Sequence, residues 1–217
     1  RPPLPPRWAL GFHQSRWSYR SAEEVRAVVR GFQAHDLPLH AIHLDIDYMD
    51  GYRVFTVDRK RFPDLPGLIQ ELEGHGIRTV VILDPGVKVD PRYPVYRDGL
   101  RRGAFCRLPN GEIYHGLVWP GWCAFPEQYQ PWVEMGVAGF WHDMNEPTVF
   151  VAWGEPTFPR TVCHALEGQG GDHREAHNVY GLLMNRAAWE ALRALRPDRR
   201  PFLLSRSGWV GLARYAW

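Results

Sequence analysis

The 217-residue chain is 45% hydrophobic and 23% charged, with a formal net charge of +2, the balance of a globular domain with one sizeable core. No basic block stands apart from acidic neighbours and no apolar run approaches the roughly 20 residues of a membrane span. Nothing therefore argues for nucleic acid or a membrane as partner. Cys106, Cys123 and Cys163 form no C-x-x-C pair, which supports neither a disulfide framework nor a zinc site. Ten Trp, nine Tyr and ten Phe suit a large aromatic core or a surface that stacks on flat ligands such as sugar rings. The first residue is Arg1 and the last four read "RYAW", with no signal peptide. Both ends are expected to continue into something longer, and the compartment stays unknown.

"RPPLPPR" (1–7) reads as an extended lead-in. A short strand is expected over 8–14, "WALGFHQ". A helix follows, opened by Ser21 with Glu24 three residues on, a capping box, and carrying Val25, Val28, Val29 and Phe32 on one face. "AIHLDID" (41–47) is the second strand. A second helix starts near Asp64, faces inward with Leu65, Leu68, Ile69 and Leu72, and stops at Gly74 and Gly76. "RTVVILD" (78–84) is a continuous apolar strand of the buried parallel type. "GVAGFWHD" (136–143) is the fourth strand, 177–195 a long helix, and "RPFLLSR" (200–206) the fifth strand. Residues 85–135 and 146–176 read as long loops without regular elements, emerging from the same sheet edge. Alternating strand and helix gives α/β with a parallel sheet, doubly wound or barrel. "GFHQSR" after the first strand is not G-x-G-x-x-G, against a nucleotide site.

Ligands of such folds bind at the C-terminal strand ends. Asp45, Asp84, Asp143 and Arg206 all fall there. Period-2 alternation groups His43, Asp45 and Asp47 on one face, and Trp141 with Asp143 on another. Metal-assisted hydrolysis needs more histidines than His43 and His142, which are expected to face different ways. "DIDYMDG" fails as a calcium loop, since Met49 takes a ligand position and Thr56 stands where Glu is required. Glycoside hydrolysis by paired carboxylates fits best, with aromatic-rich loops around it. Plainer roles compete. Asp84, before Pro85-Gly86, reads as a turn residue. So do Asp50, Asp58, Asp64 and Asp90, as turns or caps. Glu146 reads as a loop cap or as an orienter of Asp143, and Arg206 as half of an ion pair. Asp143 is the hardest to explain structurally, because a charge at the end of a buried strand is costly.

"GFWHDMNEP" (139–147) resembles the nucleophile signature of glycoside hydrolase family 31, the α-glucosidase family. "HLDIDYMDGYRVFTVD", "VVILDPGVKVD", "VWPG", "HNVYGLLM" and "RPFLLSRSGWVGLARYAW" resemble that family's other blocks, in order. The resemblance covers residues 8–217. It implies a partial (β/α)8 barrel, about the first five β/α units of a catalytic domain, working by retention on α-linked glucosides without metal or cofactor. By position it makes Asp143 the nucleophile and Glu146 its support. It also implies that Asp45, Ile46, Val87, Trp119, Trp141, Met144 and Arg206 line the sugar site. Expected partners are glucose or an α-linked gluco-oligosaccharide, and the remainder of a parent enzyme chain.

Two departures stand out. The family's acid/base Asp lies in a Trp-x-Gly-Asp block shortly after the "RYA" segment, beyond Trp217, so the 217 residues alone are expected to be inactive. A non-catalytic sugar-binding remnant, or an α-xylosidase or other α-glycosidase of the family, are the alternatives. The family also has a helix before the fourth strand, whereas Glu127–Met135, broken by Pro131, is too short for one. Residues are expected to be deleted near 126–128.

Overall fold

The computed structural model describes residues 3–118, 121–124 and 135–217. Trp119 and the expected deletion near 126–128 lie outside the described residues. In chain order the strands are β1 (His13–Gln14), β2 (Ala41–Leu44), β3 (Arg78–Leu83), β4 (Val87–Lys88), β5 (Gly116–Val118), β6 (Gly121–Ala124), β7 (Gly139–His142), β8 (Cys163–His164), β9 (Gly171–Asp172) and β10 (Leu203–Ser205). The helices are α1 (Ala22–Ala34), α2 (Leu65–Gly74), α3 (Pro94–Arg102) and α4 (His173–Leu195). Five strands form one parallel sheet in the order β1-β2-β3-β7-β10. It is curled into the half-barrel expected of the first five β/α units. Its outer face is dry: Val81, Leu83, Phe140 and Leu203 pack with Val25 and Val29 of α1, Leu68 and Leu72 of α2, and Ala188 and Leu192 of α4. Removal of these side chains from water is the main stabilising term. The inner face borders a cavity of about 560 Å³ lined by His13, His43, Trp141, Phe202, Leu204 and Trp217, among others.

Local chemistry sets the element ends. The Ser21 hydroxyl accepts from the Glu24 N–H at 3.2 Å, and the Glu24 carboxylate returns to the Arg20 N–H at 2.9 Å, one residue earlier than a capping box requires. Asp64 caps α2 by accepting from the Gly67 N–H. The first strand is shorter than expected: Arg7–Leu10 winds into a 3-10 turn and only His13–Gln14 pairs. The second strand also stops early. Asp45 accepts from the Ile46 N–H at 2.7 Å and caps a 3-10 turn over Ile46–Tyr48. Asp47 therefore leaves the Asp45 face and pairs with Arg61 at 2.7 Å.

The two long connections are not structureless. The first holds α3 and the antiparallel sheet β4-β6-β5, and the second the β8-β9 pair. Tyr114, Val118, Val149, Phe158 and Val162 give them a small core of their own. Beside it runs a polar chain in which Cys106 Sγ meets His164 Nδ1 (3.5 Å), His164 Nε2 meets His173 Nδ1 (3.1 Å), and His173 Nε2 meets His177 Nδ1 (3.1 Å). Helix α4 begins at His173, four residues earlier than expected, because the Asp172 carboxylate caps it through the Arg174 N–H. Among the described residues, no helix is long and apolar enough to cross a membrane.

Candidate active site

Strand register builds the site. Leu83 pairs with His142, and His142 with Ser205. The next residue on each strand is Asp84, Asp143 and Arg206. Neighbouring strands lie about 4.8 Å apart, so these three stand side by side just past the end of the ladder, and the Arg206 N–H still reaches the His142 carbonyl at 3.0 Å. Leu44 pairs with Val81, which sets Asp45 level with Ile82, lower in the same mouth. Alternation holds along β7. Trp141 faces the inner cavity, with its ring centroid 6.3 Å from that of His43. His142 faces the other way, fully buried, with Nδ1 2.8 Å from Asn185 Oδ1 on α4. The two histidines do face differently.

After His142 the chain turns sharply. Met144 takes a left-handed backbone, φ 57°, a sparsely populated conformation for a side-chain-bearing residue and one found at functional sites. The turn brings the Met144 N–H onto the Asp143 carboxylate. Asn145, fully buried, then clamps β10: its Nδ2 donates to Ser205 Oγ at 2.8 Å and its Oδ1 accepts from the Ser207 N–H at 3.1 Å. Asn185 donates to the same Ser205 Oγ at 2.7 Å. Helix α4 presses on this turn at Gly181, where a Cβ would stand 2.8 Å from the Ser207 carbonyl oxygen and 3.1 Å from that of Asn145.

Arg206 joins the acids. Its Nη1 lies 3.1 Å from Asp143 Oδ1. Its Nε and Nη2 donate to the two oxygens of Glu146 at 2.9 and 2.6 Å, a bidentate fork. Thr148 Oγ1 also donates to Glu146. Glu146 thus holds the arginine that touches Asp143, and the ion-pair role of Arg206 coexists with its place beside the mouth. Ile46 lies in the turn after Asp45, at the edge of a cleft of about 350 Å³ with Trp17, Asp47, Tyr52 and Arg61. Val87 is buried in β4, beyond Asp84.

Asp84 is the residue whose plain reading fails. It is no surface turn: Oδ1 is shut off from solvent with no hydrogen-bond partner among the described residues. Desolvation, then the charges of Asp143 and Asp45, push its carboxyl up to about 8 against the pull of Arg206. Burial also raises Asp45 and Asp143 above the ordinary carboxylate range, with the Ile46 N–H opposing at Asp45 and Arg206 opposing at Asp143. Burial pushes Glu146 up too, but its bonds to Arg206 and Thr148 bring it below its ordinary value. The turn and cap readings hold elsewhere: Asp58 accepts from the Lys60 and Arg61 N–H groups, and Asp90 from the Arg92 N–H. Among the described residues, no group of three His, Cys, Asp or Glu is arranged to hold a metal ion.

Desolvation holds His43, His142, His164 and His173 down to about 4. Their unfolded value is 6.5, so between 6.5 and 4 the unfolded chain binds more protons than the folded one, and stability there drops as the pH is lowered. The raised carboxyls of Asp84, Asp45 and Asp143 act oppositely, against five lowered histidines, His13 included. Calorimetric melts are expected to show a midpoint that peaks near pH 6.5, slips toward pH 8 as Asp84 resists ionisation, and drops steeply toward pH 4; a flat profile refutes this.

A parallel half-barrel with carboxylates past the strand ends places its polar groups where barrel enzymes carry their active sites. Comparison with known proteins makes the class specific. The family profile described as "Glycosyl hydrolases family 31 TIM-barrel domain" matches residues 2–217. Alpha-glucosidase 2 of Bacillus thermoamyloliquefaciens is 48% identical over 228 residues, covering 100% of this chain and 29% of that enzyme. Neutral alpha-glucosidase AB of Homo sapiens is 37% identical over 228 residues, covering 98% of this chain and 24% of its own length. Among solved structures, the ER glucosidase II complex of catalytic subunit and regulatory-subunit binding domain superposes with a TM-score of 0.90 at 32% identity, over 99% of this chain and 25% of that one. A family 31 dextranase of Flavobacterium johnsoniae, complexed with glucose, gives 0.87 at 27% identity, over 100% of this chain and 28% of the dextranase. The chain belongs to glycosyl hydrolase family 31, and it spans 24% to 29% of the length of these relatives.

Proposed function

We propose that this chain is the nucleophile-bearing part of a retaining α-glucosidase that removes terminal α-linked glucose. The observation that carries the reading is Asp143. It stands past the end of β7, held by the Met144 N–H and Arg206, in a mouth it shares with Asp45. An Asp143 oxygen attacks the anomeric carbon. The bond from that carbon to the leaving oxygen breaks, and its electron pair stays on the oxygen, which takes a proton from a general acid. Water then hydrolyses the glycosyl-Asp ester with inversion, so the configuration is retained overall. Asp45 and Arg206 accept and donate to sugar hydroxyls. Trp141 forms the apolar floor, and Ile46, Val87 and Met144 complete the wall; the resemblance assigns Trp119 to the same sugar site. No cofactor is needed in this scheme. The resemblance puts the general acid beyond Trp217. Glycosides whose leaving oxygen needs a proton are therefore expected to turn over slowly on these 217 residues alone.

Fluoride leaves without protonation, so 5-fluoro-α-glucosyl fluoride tests the nucleophile on the chain as it stands. Mass spectrometry of the folded protein is expected to show one added fluoroglucosyl group, mapped to Asp143. An adduct on another carboxylate, or none, overturns the proposal. Glucose binding without an adduct would mark a non-catalytic sugar-binding segment instead.

A further inference from the structure

The mouth holds more acid than base. Asp45, Asp84, Asp143 and Glu146 meet there, and among the described residues Arg206 is the cation that bears on Asp84. The guanidinium is already committed, with Nε and Nη2 on Glu146 and Nη1 on Asp143. Asp84 stands one strand away from Asp143 by register, yet its buried Oδ1 receives no hydrogen bond among the described residues. The groups around it complete the account. From the β2 end come Asp45 and the buried phenol of Tyr48, which donates to the Ile82 carbonyl. From the β7 end comes Asp143, and from the β10 end Arg206. Asp84 as a whole is half-buried, but a carboxylate with one oxygen cut off from both water and donors is a costly charge, and a second charge beside it raises the cost.

We propose that Asp84 stands as a neutral carboxylic acid at physiological pH, a tuning residue whose proton leaves the negative charge of the mouth to Asp143 and Asp45. The inference rests on the reading of Asp143 as nucleophile, and it gives that reading a missing condition. A nucleophilic carboxylate must be ionised, and two adjacent, poorly solvated carboxylates do not both ionise readily. Placing the proton on Asp84 settles which of the two carries it. The neutral acid also brings an O–H donor to a site otherwise rich in acceptors, where a bound sugar hydroxyl can use it.

Two measurements on the 217-residue chain test this. Infrared difference spectra of the parent against Asp84→Asn are expected to show the carbonyl stretch of a protonated carboxyl at pH 7, absent in the variant and titrating away near pH 8. Retaining a proton on folding costs stability at neutral pH, and Asn removes that cost. Asp84→Asn is therefore expected to melt higher than the parent at pH 7.5 and level with it at pH 4. Absence of the band at pH 7, or a variant destabilised equally at both pH values, overturns the inference. Failure of Asp143 to take the fluoroglucosyl label would instead strike the functional reading, and the infrared band would stand or fall independently of it.

Discussion

Asp143→Asn is expected to abolish both the fluoroglucosyl adduct and turnover. The amide matches the carboxylate in shape, so the Met144 turn, the Asn145 clamp and the Glu146–Arg206 fork persist. What disappears is the proposed nucleophile. Loss of an attacking group costs about 10⁴–10⁶ in rate. The fold should not suffer, because Asn removes one carboxylate from a crowded mouth in which burial already lifts Asp143 above its ordinary range. The checks are adduct formation and a melt on the 217 residues, and turnover of an α-glucoside in a polypeptide that carries the complete barrel. An Asn variant that still forms the adduct elsewhere, or still turns over, would show that Asp143 is not the attacking group.

Arg206→Met is the second large effect, and it works through charge. Arg206 lowers the proton affinity of Asp143 and bonds Glu146 directly. Methionine keeps much of the stem volume and removes the fork. Asp143 then keeps its proton to higher pH, so the acid limb of the labelling rate moves upward in pH. At neutral pH the rate is expected to fall on the order of 100-fold, the scale of losing one preorganised donor at a reacting centre. Arg206→Lys should recover part of this, since lysine restores the charge but not the bidentate geometry. A labelling profile unchanged in both variants would reduce Arg206 to a surface ion pair.

Much of this site could be read from residue order, and the exceptions have identifiable causes. Asp45, Asp143 and Arg206 sit at the ends of apolar runs, and a parallel sheet delivers such ends to one edge. Asp84 sits at the end of an equally apolar run, but Asp84-Pro85-Gly86 carries the local signature of a turn. Only the register of β3 against β7 shows that it neighbours Asp143. The early end of β2 escaped because "LDID" alternates like a strand, whereas Asp45 turns its own side chain onto the next N–H and starts a helical turn. The small core under the long connections was hidden for a different reason. Its members are spread from Tyr114 to Val162, with no periodicity to expose them. The left-handed backbone of Met144 has no local cue either, because nothing about methionine favours it.

The polar clamp behind the mouth has a consequence for how such a site can change over time. His142, Asn145, Asn185, Ser205 and Ser207 are drawn from two strand ends and a helix, yet they share one hydrogen-bonded lattice. Gly181 seals it by leaving no room for even a methyl group. A substitution at His142, Asn145, Asn185 or Ser205 strands a donor or acceptor contributed by another, whereas Ser207 takes part through its backbone. The positions are therefore bound to a common fate, to be inherited together or lost together. The connections after β3 and β7 rest on a core of their own and can be rebuilt without disturbing that lattice. New substrate preferences should arise in those connections, around an Asp143 that stays where it is.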